Sequence, residues 1–183
     1  MSKRSDFERI PRDAYDTPMS AVQPLLRHLP ETFSYWEPCA GRGALVDHIV
    51  SNAGVSYCAA TDIEPRRHDI NRADALEQQP SHRTSVDFII TNPPWSRNIL
   101  HPMIEHFSNM SPTWLLFDAD WMHTKQSVPF LWRLHKIVSV GRVKWIPDSE
   151  MTGKDNCAWY FFSRQERQRQ IEFHGRNDGQ AIR

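Results

Sequence analysis

The chain alternates short apolar runs with amphipathic stretches. Phe33-Ser34-Tyr35-Trp36 predicts a strand running into Glu37-Pro38-Cys39-Ala40-Gly41-Arg42-Gly43, a turn punctuated by glycine. Ala44 to Ala53 places Leu45, Ile49 and Val50 at helical spacing and stops at Asn52-Ala53-Gly54. Val55 to Thr61 predicts a second strand ending in Asp62, and Val86 to Ile90 a short buried one cut off by Asn92-Pro93-Pro94. Ile99 to Phe107 predicts a helix, Trp114 to Phe117 a strand, and Phe130 to Leu134 part of another helix. Ile137 to Trp145 and Cys157 to Phe162 predict a late strand pair around the polar loop Pro147 to Asn156. Strands separated by helices imply an α/β sheet with parallel crossovers, ending in an antiparallel hairpin at one edge. Residues 1–12 and 164–183 read as polar arms around one domain, 13–163.

Composition narrows the class. With 39% hydrophobic and 24% charged residues over 183 positions, the chain is globular rather than disordered, and its length suits one core. The longest apolar runs fall far short of the roughly 20 residues that cross a bilayer. Met1 to Asp6 is polar and lacks a signal peptide's apolar stretch, so a soluble, cytoplasmic chain with no membrane partner is expected. Three widely spaced cysteines (Cys39, Cys58, Cys157) imply no disulfide framework, and the nine histidines show no metal-ligand spacing, so no metal is expected. The 22 basic and 22 acidic residues cancel, but unevenly. Glu31 to Pro94 holds nine acids and five bases, whereas Trp121 to Trp145 holds Lys125, Arg133, Lys136, Arg142 and Lys144 and no acid. An acidic first half suits a cationic ligand and a basic second half an anionic one; solvated helix faces account for the counts equally well.

Ligands of parallel α/β sheets sit beyond the carboxyl ends of the strands, where the turn Glu37 to Gly43 falls. Gly41 and Gly43 allow close backbone approach. The turn is neither Gly-x-Gly-x-x-Gly nor a Walker loop, which disfavours a nicotinamide dinucleotide or a nucleoside triphosphate. Glu37 would repel phosphate and welcome a sulfonium or an amine. Asp62, ending the next strand, is placed to accept from ribose hydroxyls.

Asn92-Pro93-Pro94-Trp95 is the most informative stretch. The prolines lack N–H groups and stiffen the chain, so Pro93 offers a carbonyl with no competing local donor. Asn92 adds a side-chain carbonyl. Two fixed acceptors beside the flat face of Trp95 make a socket for a planar group bearing an NH₂. Accepting both N–H bonds favours a pyramidal nitrogen whose lone pair points at an electrophile, so catalysis would come from positioning.

At these residues the sequence resembles the S-adenosylmethionine-dependent N6-adenine DNA methyltransferases, especially the small phage and prophage enzymes, over about residues 13–163. The resemblance implies a Rossmann-like class I methyltransferase fold, a mostly parallel seven-stranded sheet with helices on both faces. Asp13 to Pro18 resembles the family's Thr-Pro element, which implies Tyr15, Thr17 and Pro18 at the cofactor's methionine end. Glu37, Pro38, Ala40, Gly41 and Gly43 resemble its glycine motif. Thr61 to Glu64 resembles the ribose-binding end of strand two, implying Asp62 and Ile63, and Ala73 to Leu76 the turn that reads the cofactor's adenine, implying Asp74 and Ala75. Asn92, Pro93, Pro94 and Trp95 match the catalytic tetrapeptide, with Asn92 also beside the cofactor. Gly141 to Trp145 with Cys157 to Tyr160 resembles the hairpin whose aromatic residue holds a flipped base, here Trp145. Lys125, Arg142 and Lys144 are the expected phosphate contacts, giving salt-sensitive DNA binding.

Relatives with this motif order carry a target-recognition domain after the hairpin or between the two motifs. Here about twenty polar residues follow Phe162, and Asp74 and Asn92 lie eighteen apart. Weak sequence selectivity, a very short recognition element, or recognition supplied by a partner or a homodimer is expected. The tetrapeptide also serves methylation of RNA adenine and of protein glutamine, and an inactive nucleic-acid-binding subunit on the same fold is a further alternative. Cytosine C5 methylation is disfavoured, because the only Pro-Cys, Pro38-Cys39, lies in the glycine turn.

Overall fold

The computed structural model describes residues 15–78, 85–146, 152–164 and 170–176. The expected N-terminal arm, Asp13 and Ala14, residues 147–151 of the polar loop, and residues 165–169 and 177–183 of the tail lie outside the described residues. In chain order the elements are α1 (Met19–Leu26), β1 (Phe33–Glu37), α2 (Ala44–Asn52), β2 (Val55–Asp62), β3 (Asn71–Arg72), β4 (Phe88–Thr91), α3 (Arg97–Met110) and β5 (Thr113–Asp118). Two 3₁₀ stretches (Ala119–His123, Lys125–Arg133) then lead to β6 (Leu134–Arg142), β7 (Asn156–Phe162) and β8 (Glu172–His174).

The strand order is β3-β2-β1-β4-β5-β7-β6-β8. β1, β2, β3, β4 and β5 pair in parallel, and β7 runs antiparallel between β5 and β6. Period-two burial divides the core between the two faces. Tyr35, Ile90, Trp114, Leu116 and Trp159 pack under α1 and α2, while Trp36, Ile89, Leu115, Phe117 and Tyr160 pack under α3 and the 3₁₀ stretches. The expected helical layers on both faces are therefore present. The indole N–H of Trp159 donates to the Ala21 carbonyl at 2.8 Å and fixes α1 on its face.

Several expectations are corrected. The sheet has eight described strands rather than seven, and the hairpin is not its edge. Glu172–His174, from the stretch read as a polar arm, pairs in parallel with β6, and Lys136 meets Glu172 at 3.2 Å. A three-residue strand with no buried residue carries no periodic signal, which is why it was illegible. The helix around Phe130 is a 3₁₀ stretch, and Leu134 already belongs to β6. The strand extending to Trp145 ends at Arg142, leaving Lys144 and Trp145 beyond it. No helix among the described residues is long and apolar enough to cross a membrane.

Candidate active site

Strand order reverses at β1, with β2 on one side and β4 on the other, so a crevice opens beyond their carboxyl ends. A cavity of about 550 Å³ occupies it, within the range of small-ligand sites.

The glycine turn forms the floor. Gly41 (φ 54°) and Gly43 (φ 79°) both adopt left-handed backbone, which gives glycine a conformational reason beyond close approach. The loop is stitched to its neighbour: Ala40 N–H donates to the Thr61 carbonyl at 2.9 Å, and Arg66 N–H to the Gly41 carbonyl at 3.0 Å. Asp62 accepts from Gly41 N–H at 2.8 Å through one carboxylate oxygen and from Glu64 N–H at 2.7 Å through the other. It therefore holds the turn as well as facing the cavity. Ala73 N–H donates to the Asp62 carbonyl at 2.9 Å, bringing Asp74 and Ala75 to the same wall.

Glu37, 2% exposed, is among the lining residues, and one of its carboxyl oxygens is buried without a hydrogen-bond partner. Burial pushes its carboxyl well above the usual range and nearby Asp62 adds to this, whereas Arg67 and the Val46 backbone N–H oppose it. A buried, half-satisfied carboxyl is unfavourable by itself and suits an arriving cation or donor. Cys39, also lining the cavity, has its thiol pushed up to about 12 by burial, so it is no thiolate nucleophile at neutral pH.

Asn92 and Pro94 reach the cavity from the end of β4, while Pro93 is buried beneath them. The Asn92 amide is held at both ends: its Nδ2 donates to Thr17 Oγ1 at 3.2 Å, and Trp95 Nε1 donates to its Oδ1 at 3.3 Å. Trp95 does not line the cavity itself. Its ring meets Trp145 edge-on at 5.9 Å, and Trp145 meets Tyr15 at 6.1 Å. These half-buried rings form an aromatic wall beside Asn92. Gly153 makes room for it, since a Cβ there would lie 2.9 Å from the Val143 carbonyl and 3.2 Å from the Trp145 indole.

Of the expected positions, Tyr15, Thr17, Glu37, Pro38, Ala40, Gly41, Asp62, Ile63, Asp74, Ala75, Asn92 and Pro94 share the one cavity. Pro18 and Gly43 instead precede α1 and α2 as their N-caps. Arg142 and Lys144 are exposed at the same sheet end as the crevice, and Lys125 is exposed on the second 3₁₀ stretch. Sequence reading missed Asp16 and Arg66, which form an ion pair at 3.0 Å at the cavity, and Ile99 and Met103 of α3. The helical period marks the α3 pair only as apolar, and nothing local pairs residues fifty apart.

No family model matches the sequence, and no curated protein matches it. Solved structures do match the fold. A putative RNA methyltransferase from Pyrococcus horikoshii is 15% identical, with 88% of this chain and 91% of that one covered and a TM-score of 0.57. A putative class I S-adenosylmethionine-dependent methyltransferase from Listeria monocytogenes is 9% identical, covering 85% and 62%, with a TM-score of 0.54. A type I restriction-modification methyltransferase subunit from Streptococcus thermophilus is 11% identical, covering 94% of this chain and 48% of that subunit, with a TM-score of 0.56. The chain thus spans about half of the Streptococcus subunit and under two thirds of the Listeria protein. The lining residues fit S-adenosylmethionine: a buried Glu37 carboxyl for a cation, acids at two strand ends, and left-handed Gly41 for close backbone approach. By its architecture this chain has the fold of a class I S-adenosylmethionine-dependent methyltransferase.

Proposed function

We propose that the protein methylates the N6 amine of adenine in DNA, with little or short sequence selectivity of its own. One observation carries the reading: Asn92 and Pro94 open into the same cavity as Glu37, Gly41 and Asp62. A donor and an acceptor amine can meet only if these two sets of residues share a space. When bound, S-adenosylmethionine supplies an electrophilic methyl group on a sulfonium centre. Glu37 faces its cationic end, Asp62 its ribose hydroxyls, and Asp74 with Ala75 its adenine. The Asn92 side-chain carbonyl accepts from the target amine and turns its lone pair toward the methyl, while buried Pro93 stiffens the turn that holds Asn92. Trp95 and Trp145 hold the target ring, which in a duplex must be flipped out at a cost of a few kcal/mol. Exposed Arg142, Lys144 and Lys125 contact phosphates, making binding salt-sensitive.

A homodimer or a partner subunit would supply further target recognition, a reading supported by the likeness to a restriction-modification subunit. Tritium transfer from S-adenosylmethionine into DNA, RNA and protein tests the proposal. Labelling of unmethylated DNA, and not of adenine-methylated DNA, is expected. Label confined to RNA or to protein would replace adenine in DNA with one of the alternative acceptors.

A further inference from the structure

We infer that Thr17 is a positioning residue for the Asn92 amide, acting together with the indole N–H of Trp95; this rests on the methyl-transfer reading above. An asparagine amide can present either its oxygen or its nitrogen to a neighbour, and only the oxygen can accept from a target amine. The ends of this amide are nearly equal in shape, so packing alone does not choose between them. Hydrogen-bond chemistry does. An indole N–H only donates, so the atom 3.3 Å from Trp95 Nε1 must be Oδ1. The opposite end is then Nδ2, which requires an acceptor, and Thr17 Oγ1 provides it at 3.2 Å. A carbonyl oxygen has two lone pairs, so Oδ1 keeps one for the target amine after accepting from Trp95.

The two supports come from different parts of the chain. Thr17 precedes α1, is 4% exposed, and lies 75 residues from Asn92. Its burial gives the hydroxyl little exchange with solvent and a fixed location. Thr17 also lines the cavity, so its own O–H remains a donor that can point to the cofactor while its lone pair holds Asn92. Trp95 has a second duty besides its aromatic face, and a phenylalanine there would keep the face and lose the N–H.

The test compares wild type with Thr17→Val, Thr17→Ser and Trp95→Phe. It measures tritium transfer from S-adenosylmethionine to unmethylated duplex DNA, ribosomal RNA and protein, and cofactor affinity by calorimetry. Thr17→Val keeps the shape and removes the acceptor. Loss of one positioning bond is expected to lower kcat about tenfold or more, a larger factor than any loss of cofactor affinity from the missing O–H. Thr17→Ser restores kcat, which a purely volumetric role would not do. Trp95→Phe lowers kcat while the fold persists, because the ring is half-buried and the change keeps its aromatic face. Weakened cofactor binding with unchanged kcat in Thr17→Val would overturn the inference and make Thr17 a cofactor ligand only. Unchanged kcat in Trp95→Phe would likewise remove the clamp. Wild-type inertness toward all three acceptors would instead sink the methyl-transfer reading, and the inference with it.

Discussion

Tyr15 and Trp145 meet with ring centroids 6.1 Å apart, joining a wall of the cavity to the loop beyond β6. Gly153 N–H donates to the Val143 carbonyl at 2.8 Å, which draws residues 152–155 against the Trp145 indole. Gly153→Ala is expected to push this indole aside, because the neighbour on the other side of the new Cβ is backbone. The substrate KM should rise several-fold while cofactor affinity holds. Initial rates at varied DNA concentration, with calorimetry for the cofactor, check it; an unchanged KM would remove Trp145 from the acceptor site.

Glu37 predicts a pH dependence. Burial raises its folded-state pKa above its unfolded value, so its contribution to stability is fully present below the ordinary glutamate range. That contribution is lost as pH rises through the raised value. Glu37→Gln should flatten stability across this window, measured by urea denaturation at several pH values. A cationic ligand reverses the preference and lowers the Glu37 pKa, so S-adenosylmethionine binding should release a proton. The calorimetric enthalpy then differs between phosphate and Tris buffers for wild type and not for Glu37→Gln. Equal buffer dependence in the two proteins would show that Glu37 is not the group releasing it.

Asp62 serves two backbone donors as well as the cavity. Asp62→Ala should therefore cost about 1–3 kcal/mol of stability, as expected when donors lose a charged acceptor, in addition to weakening cofactor binding. Urea melts and calorimetry on the same variant separate the effects. Loss of affinity with wild-type stability would mean that the loop stands without the carboxylate.

Arg66 and Asp16 tie the loop after β2 to the segment before α1. Their side chains are 32% and 43% exposed, so the pair is screened and should contribute only about 0–1 kcal/mol to stability. Its expected effect is kinetic: Arg66→Ala should speed cofactor release several-fold at low salt, and the difference should fade as salt rises. Stopped-flow tryptophan fluorescence reads the release rate. A salt-independent difference would point to lost packing against Gly41 rather than to the ion pair.

Much of the candidate site was legible because its chemistry is local. Gly41, Gly43 and the two prolines declare turns by backbone chemistry alone, and Phe33–Glu37, Val55–Asp62 and Thr113–Asp118 carry enough apolar residues to declare strands. A strand followed by such a turn also places its ligands at a carboxyl end, which brought out Glu37, Asp62 and Asn92. Where the pattern was thin, as in Glu172–His174, periodicity had nothing to report, and in Lys125–Arg133 it marked a helix without distinguishing 3₁₀ from α.

Sequence by itself determined which stretches are apolar, where glycine and proline turn the backbone, and which residue types stand at strand ends, because those depend on neighbours a few positions away. Only the tertiary structure decided that β7 enters between β5 and β6, that Arg66 reaches Asp16, and that Thr17 and Trp95 grip the two ends of Asn92. Those pairings join residues up to 75 positions apart. Many polar side chains in the sequence could satisfy each donor, and only the packed sheet brings one of them within reach.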